Sequence, residues 1–133
     1  MKRKAKQHSK FQPVFLLSHA QRTALWIALD TLSFTKPSIN RGGSIIANGT
    51  TAKLSKLDNH ERQAEIELSY LEVEVAVNAL KIAVSYLDGN CNDFCTSDLL
   101  ISRLPQELRE YGPVIRNLQP LFKECIDAIE RGI

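Results

Sequence analysis

The chain has 133 residues, of which 44% are hydrophobic and 24% charged, a composition that fits one ordinary globular domain. This balance excludes a wholly disordered chain, and the absence of any apolar run near the ~20 residues of a membrane-spanning helix predicts no membrane contact. The net charge of +2 conceals an asymmetry, because residues 1–57 carry ten Lys/Arg and one acid, whereas residues 58–133 carry seven Lys/Arg and fourteen acids.

Residues 1–12 are basic and almost free of apolar side chains, so they are predicted to form a disordered arm ahead of a single helical domain over residues 13–133. The apolar stretch from Phe15 to Leu17 is too short for the core of a signal peptide. Three cysteines also favour reduced thiols over a disulfide framework. We therefore expect a cytoplasmic protein.

The first helix is predicted over residues 18–34. Ser18 is a favourable N-cap, and Gln21 three residues later completes a capping-box pattern. An apolar stripe with i, i+3, i+4 and i+7 spacing follows, formed by Leu25, Ala28, Leu29 and Leu32.

Residues 36–57 show no helical period. Asn48-Gly49 is the preferred pair for a type I′ turn, with Ile45 and Ile46 before it and threonines after it, so the segment predicts a small β-hairpin. A flexible loop rich in Gly, Ser and Thr is the alternative.

A long central helix is predicted over residues 58–88, capped by Asp58 and ended by Gly89. It carries two neighbouring apolar rows, one from Ile66 to Leu87 and a second that contains Leu68, Leu71 and Val75. A face this broad is typical of a helix packed on two sides.

The remaining residues predict short helices, with the last one beginning near Asn117 and carrying Pro120 in its first turn. The fold class is therefore all-α: an irregular bundle of four to five helices around the long central helix, with a small hairpin within 36–57.

The motifs for chemistry are incomplete. His60-Glu61 begins an HExxH zinc motif, but Ala64 occupies the second histidine position. Cys91 and Cys95 lack the further ligands that zinc requires, and no glycine-rich phosphate loop is present. We predict no metal, no cofactor and no catalytic residue.

The leading functional hypothesis is a non-catalytic helical module that binds a protein partner or itself, as an adaptor, inhibitor or accessory subunit. Apolar anchors on one helix face suit helix–helix association. The expected contact residues are Leu68, Leu71, Val75 and Glu72. The alternative is that both apolar rows face the protein's own core.

Nucleic-acid binding is the second hypothesis, because clustered lysines and arginines neutralise a phosphate backbone. The residues that would make these contacts lie in the basic arm and in the 36–57 segment: Lys2, Arg3, Lys4, Lys6, Lys10, Arg41, Lys53 and Lys56. A solubilising tail beside a solvated loop explains the same pattern without any ligand.

Overall fold

A computed structural model describes residues 12–35, 43–57, 62–90 and 102–132 of the chain. Its elements, in chain order, are β1 (Val14–Ser18), α1 (His19–Asp30) with a 3-10 turn (Thr31–Phe34), α2 (Gly43–Ser55), β2 (Gln63–Glu67), α3 (Tyr70–Leu87), α4 (Leu104–Glu110) and α5 (Gly112–Glu130). The described residues form a bundle of five α-helices with a small two-stranded antiparallel sheet, which confirms the predicted fold class.

The helix α3 lies at the centre of the bundle. It packs most extensively against α5, and α1 and α2 also pack against it, while α4 closes the end of the bundle beside α1. Fully buried side chains from these helices fill the space between them, among them Leu25, Leu29, Leu80, Leu108, Ile115 and Leu118. The buried side of the sheet covers the same core, so helices and sheet share one apolar interior.

The start of α1 follows the predicted capping box. Ser18 Oγ accepts a hydrogen bond from the Gln21 N–H at 3.1 Å, and Gln21 Oε1 accepts one from the Ser18 N–H at 2.9 Å. Two N–H groups at the helix end are thereby satisfied locally. The predicted helix over 18–34 is confirmed, with its last turn wound as 3-10 helix.

The hairpin predicted within 36–57 is wrong for the residues described there, because Gly43–Ser55 is the helix α2. Ala47, Thr50 and Leu54 follow one another at i, i+3 and i+7, and all three are buried. Gly49 faces outward, where an added Cβ would meet nothing within 4 Å. Burial of one helical face therefore overrides the turn preference of Asn48-Gly49.

The central helix is shorter than predicted, since α3 begins at Tyr70 and not at residue 58. Its N-cap is Ser69, with Glu72 completing a capping box, whereas the predicted cap Asp58 lies outside the described residues. At 1.5 Å per residue, α3 spans about 27 Å. It ends as predicted at Gly89, whose φ of +87° is a conformation that favours glycine.

The last helix begins earlier than predicted. The helix α5 starts at Gly112 with Pro113 in its first turn, whereas Asn117 was expected near its start. Pro120 consequently lies inside the helix and not in its first turn. Its side chain is exposed, so water can solvate the carbonyl that lacks an N–H partner.

Candidate protein-binding surface

The two strands pair antiparallel and give the sheet two different faces. On the inner face, Phe15 lies opposite Ile66 and Leu17 lies opposite Ala64. All four are buried, and Phe15 also stacks on Phe122 of α5. Because side chains alternate along a strand, the intervening residues must face outward.

The outer face pairs apolar with acidic side chains. Val14 lies opposite Glu67 and Leu16 opposite Glu65, with 54% of Val14 and 61% of Leu16 exposed. We call these four residues the outer sheet face. It combines the exposed apolar anchors and the localised negative charge that protein interfaces use.

Among the described residues, the hydrogen-bond register leaves one edge of β1 unpaired. The Leu68 N–H donates to the Pro13 carbonyl at 3.1 Å, which continues the β1–β2 ladder by one pair. In an antiparallel ladder alternate residues point their backbone groups to the partner strand, so Phe15 and Leu17 face β2. The N–H and C=O groups of Val14 and Leu16 point away from β2, and no hydrogen bond to them occurs among the described residues.

At the opposite edge of the sheet, Lys53 of α2 contacts the last residue of β2. Lys53 Nζ donates to the Glu67 carbonyl at 3.1 Å and to Glu72 Oε1 at 2.5 Å. Thr50 Oγ1 lies 3.3 Å from Glu72 Oε2 and 2.9 Å from the Ile46 carbonyl, and the Ser69 N–H donates to Glu72 Oε1 at 2.8 Å. Burial raises the pKa of Glu72, but the hydrogen bonds from Lys53 and Ser69 outweigh it and hold the pKa below its usual value. The buried carboxylate thus joins α2, β2 and α3.

Further acidic side chains lie at the start of α3. The Tyr70 hydroxyl is 3.3 Å from Glu74 Oε2 and 3.3 Å from Glu130 Oε2. Burial and these two carboxylates raise the pKa of Tyr70 to about 12. Leu71, the next residue, is exposed. The Tyr70 hydroxyl thus connects the start of α3 with the end of α5.

The four residues of the predicted partner surface do not lie together on one exposed row. Leu68 is fully buried and Glu72 is buried in the Lys53 network. Val75 is half-buried and packs against the core. Both of its methyl groups would lie 3.8 Å from a Cβ added to Gly43. Leu71 alone of the four is exposed, so the predicted row is wrong as a continuous surface. The cause is that Leu68 precedes α3 in extended backbone, which removes it from the helical period.

Most of the predicted nucleic-acid contacts cannot be placed. Those that lie outside the described residues are Lys2, Arg3, Lys4, Lys6, Lys10 and Arg41. Lys53 directs its ammonium group to Glu72 and the Glu67 carbonyl. Lys56 follows α2 and is exposed. The structure therefore does not gather the predicted basic residues into a described patch.

In the part of the chain that the structure describes, no group of three or more His, Cys, Asp or Glu side chains could hold a metal ion. Cys125 is half-buried, and burial raises the pKa of its thiol. Cys91 and Cys95 lie outside the described residues. None of the described helices is long and apolar enough to cross a bilayer.

No protein-family model matches the chain, and neither a curated protein nor a solved structure matches it.

Sequence reasoning missed the outer sheet face. The available signal is the alternation in Gln63-Ala64-Glu65-Ile66-Glu67, where every second residue is apolar. The sequence instead predicts a helix here, because Ile66 also fits the apolar row that runs to Leu87. In β1 the residues Val14 to Leu17 are all apolar, so the pattern does not show which side chains face outward.

Proposed function

We propose that the protein is a non-catalytic, cytoplasmic interaction module that binds an extended, basic segment of a partner protein at the open edge of β1. In strand addition, the backbone of the segment supplies hydrogen bonds and its alternate side chains supply specificity. Such a module acts as an adaptor, inhibitor or accessory subunit.

The open edge of β1 carries this proposal. Val14 and Leu16 direct their backbone donors and acceptors away from β2 and also expose their side chains. Exposed edge strands of this kind are templates for another strand, and proteins usually blunt them with charge, proline or a bulge. Within β1 itself, Val14–Ser18 contains no charged residue and no proline.

Charge complementarity defines the partner as basic. Glu65 and Glu67 lie opposite the apolar pair on the outer sheet face. A third strand beside β1 would lie ~10 Å from β2, and Lys or Arg side chains on it reach most of that distance while glutamate covers the rest. Apolar residues at alternate positions of the segment would contact Val14 and Leu16 on the same face.

The test uses the full-length protein and a hexapeptide of alternating Lys and Val as the probe. We expect saturable amide shifts confined to β1 and its neighbours in two-dimensional NMR, and slower exchange of the Val14 and Leu16 amides. A hexapeptide of alternating Glu and Val is the matched probe, because it keeps the strand propensity and reverses the charge. We expect that acidic peptide not to bind.

Two variants separate strand addition from general attraction to an acidic protein. Leu16→Pro removes an outward N–H without removing a β1–β2 hydrogen bond, and we expect it to weaken binding roughly tenfold. The double change Glu65→Lys with Glu67→Lys should weaken it at least as much without touching the backbone. Glu110→Lys on α4 is the charge control and should leave affinity near that of the parent. Equal binding of both peptides, or parent-like binding by both variants, overturns the proposal.

Self-association is an outcome of the same experiment. If sedimentation shows a dimer that Leu16→Pro dissociates, then a second copy of the chain occupies β1, and the basic partner segment is excluded as its main ligand.

Nucleic-acid binding stays a prediction, since most of its residues lie outside the described ones. Reversing Lys2, Arg3 and Lys4 to Glu in the full-length chain tests it. The hypothesis requires that affinity for single-stranded DNA, duplex DNA or RNA falls and loses part of its salt dependence. Unchanged affinity would exclude the arm as the contact.

A further inference from the structure

A cleft of about 310 Å³ lies between α1, the last turn of α2 and α4. Trp26 and Asp30 of α1 and Glu107 of α4 line one part of it. Ile27 and Leu54 provide apolar wall. The volume is at the lower end of the range for small-molecule sites.

Asp30 of α1 and Glu107 of α4 both line this cleft, so two carboxyl groups border the same space. Asp30 has no hydrogen-bond donor or ion-pair partner among the described residues, and burial together with the charge of Glu107 raises its pKa to about 6. A partly buried carboxylate beside a second one is unfavourable unless a positive charge compensates it. A positive charge that enters the cleft beside Asp30 and Glu107 would therefore be favoured.

The indole of Trp26 completes the environment of a cation site. Trp26 lies one helical turn before Asp30 on the same side of α1, and 37% of it is exposed. The face of an indole attracts cations more strongly than that of any other aromatic side chain. A ring and two carboxyl groups thus border the same cleft.

Two basic residues, His19 and Arg22, also line the cleft, and Arg22 lies one helical turn before Trp26. Arg22 precedes Asp30 by eight residues, about 12 Å along the helix axis, and His19 lies further still. The guanidinium of Arg22 donates to the Leu17 carbonyl at 2.7 Å and is buried with β1. These two residues, with Asp30 and Glu107, are the ionisable side chains that line the cleft.

We propose that the cleft binds a small organic ammonium ion, with its cationic nitrogen between Trp26, Asp30 and Glu107. The alkyl part of the ligand contacts Ile27 and Leu54. An organic cation suits this lining better than Mg²⁺ or Ca²⁺, since those ions require six or more oxygen ligands and gain little from an indole. This site is independent of the strand-addition proposal.

Binding in the cleft can be followed by tryptophan fluorescence, because Trp26 is the single tryptophan of the chain. Choline chloride is the probe, and full-length protein is titrated while the tryptophan fluorescence and the indole N–H signal in NMR are followed. We expect a saturable change. The comparison ligands are the uncharged alcohol in which carbon replaces the quaternary nitrogen, sodium chloride at equal ionic strength, and magnesium chloride.

The variants identify the residues that hold the cation. Asp30→Asn and Glu107→Gln should each weaken choline binding roughly tenfold, and circular dichroism should show that both remain folded. Glu110→Gln, on the same helix as Glu107 but outside the cleft, should bind like the parent. Trp26→Leu, followed by NMR, should bind more weakly than Trp26→Phe.

The proposal is overturned by any of four results. These are no saturable change with choline, equal binding of the uncharged alcohol, parent-like binding by both carboxyl variants, and a stronger response to magnesium than to choline. The last result would assign the carboxyl pair to a metal ion.

Discussion

Phe15 of β1 and Phe122 of α5 stack face to face, with ring centroids 4.4 Å apart and an angle of 1° between the rings. Phe122 is fully buried, and Phe15 nearly so. This stack is an aromatic contact between the sheet and the last helix. It fixes the inner face of β1 on the core and so determines which side of the strand faces water.

Loss of the stack should destabilise the whole fold. We expect Phe122→Ala to lower the free energy of unfolding by about 3–5 kcal/mol, because it removes apolar contacts and leaves a cavity. Urea unfolding followed by circular dichroism measures the change. Leu121→Ala is the neighbouring control: Leu121 is 42% exposed and should cost less than ~1 kcal/mol. Similar costs for the two variants would show that the stack contributes little.

The register of the sheet predicts alternating amide exchange along β1. The N–H groups of Phe15 and Leu17 point to β2 and should exchange slowly, whereas those of Val14 and Leu16 point outward and should exchange rapidly. Hydrogen exchange followed by NMR measures all four. Slow exchange at Val14 and Leu16 in the free protein would mean that another part of the chain already occupies the edge.

Substitution of Gly49 tests whether the segment Gly43–Ser55 forms a helix or a hairpin. On the exposed side of α2, Gly49→Ala should raise the free energy of unfolding by about 0.5–1 kcal/mol, because alanine loses less backbone entropy in a helix. Gly89→Ala is the opposite control, since its φ of +87° strains any other residue. Thermal or urea unfolding compares the two. A destabilised Gly49→Ala variant would instead favour a turn at Asn48-Gly49.

The raised pKa of Asp30 predicts that the protein loses stability as the pH rises. Its pKa in the folded protein is about 6, above the ordinary 3.8, so the folded state holds the proton more tightly and stability falls as pH rises between those values. We expect Asp30→Asn to stabilise the protein by about 1 kcal/mol above pH ~7, after allowance for solvent screening, and to change little below pH ~4. Urea unfolding across this range measures it. An equal effect at both ends would contradict a titrating Asp30.

Lys53 and Glu72 should be coupled more strongly than a surface ion pair. Glu72 is buried and receives hydrogen bonds from Lys53 and Ser69. A double-mutant cycle with Lys53→Met and Glu72→Gln should give a coupling energy of about 1 kcal/mol. The exposed pair Lys123–Asp127 is the control, expected near ~0.3 kcal/mol. Because the pKa of Glu72 is lowered, its contribution is complete above the ordinary carboxyl pKa and is lost on acidification.

The features that the sequence predicts correctly depend on contacts between neighbouring residues. The Ser18–Gln21 capping box and the Gly89 helix end were both identified from their residue types, and both occur. Each depends on contacts within a few residues, so neighbouring sequence contains all the information required.

The features that were missed depend on residues far apart in the chain. The segment 63–67 forms a strand because β1 lies beside it, and α2 forms because the core buries one of its faces. Tertiary packing decides both cases against local propensity. The cleft residues Trp26, Asp30 and Glu107 come from two helices, and nothing in the sequence indicates that these helices meet.

The distance in sequence between β1 and β2 affects how the chain folds while it is being synthesised. About 45 residues separate the two strands, so their closure carries the entropy cost of a long loop. During translation β1 leaves the ribosome with both of its edges unpaired. The strand β2 can pair with one of them only after the intervening helices have been made. Folding thus halves the number of edges that β1 offers. In the folded protein β2 pairs with one edge of β1, and the other edge is the one at which we propose that the partner segment binds.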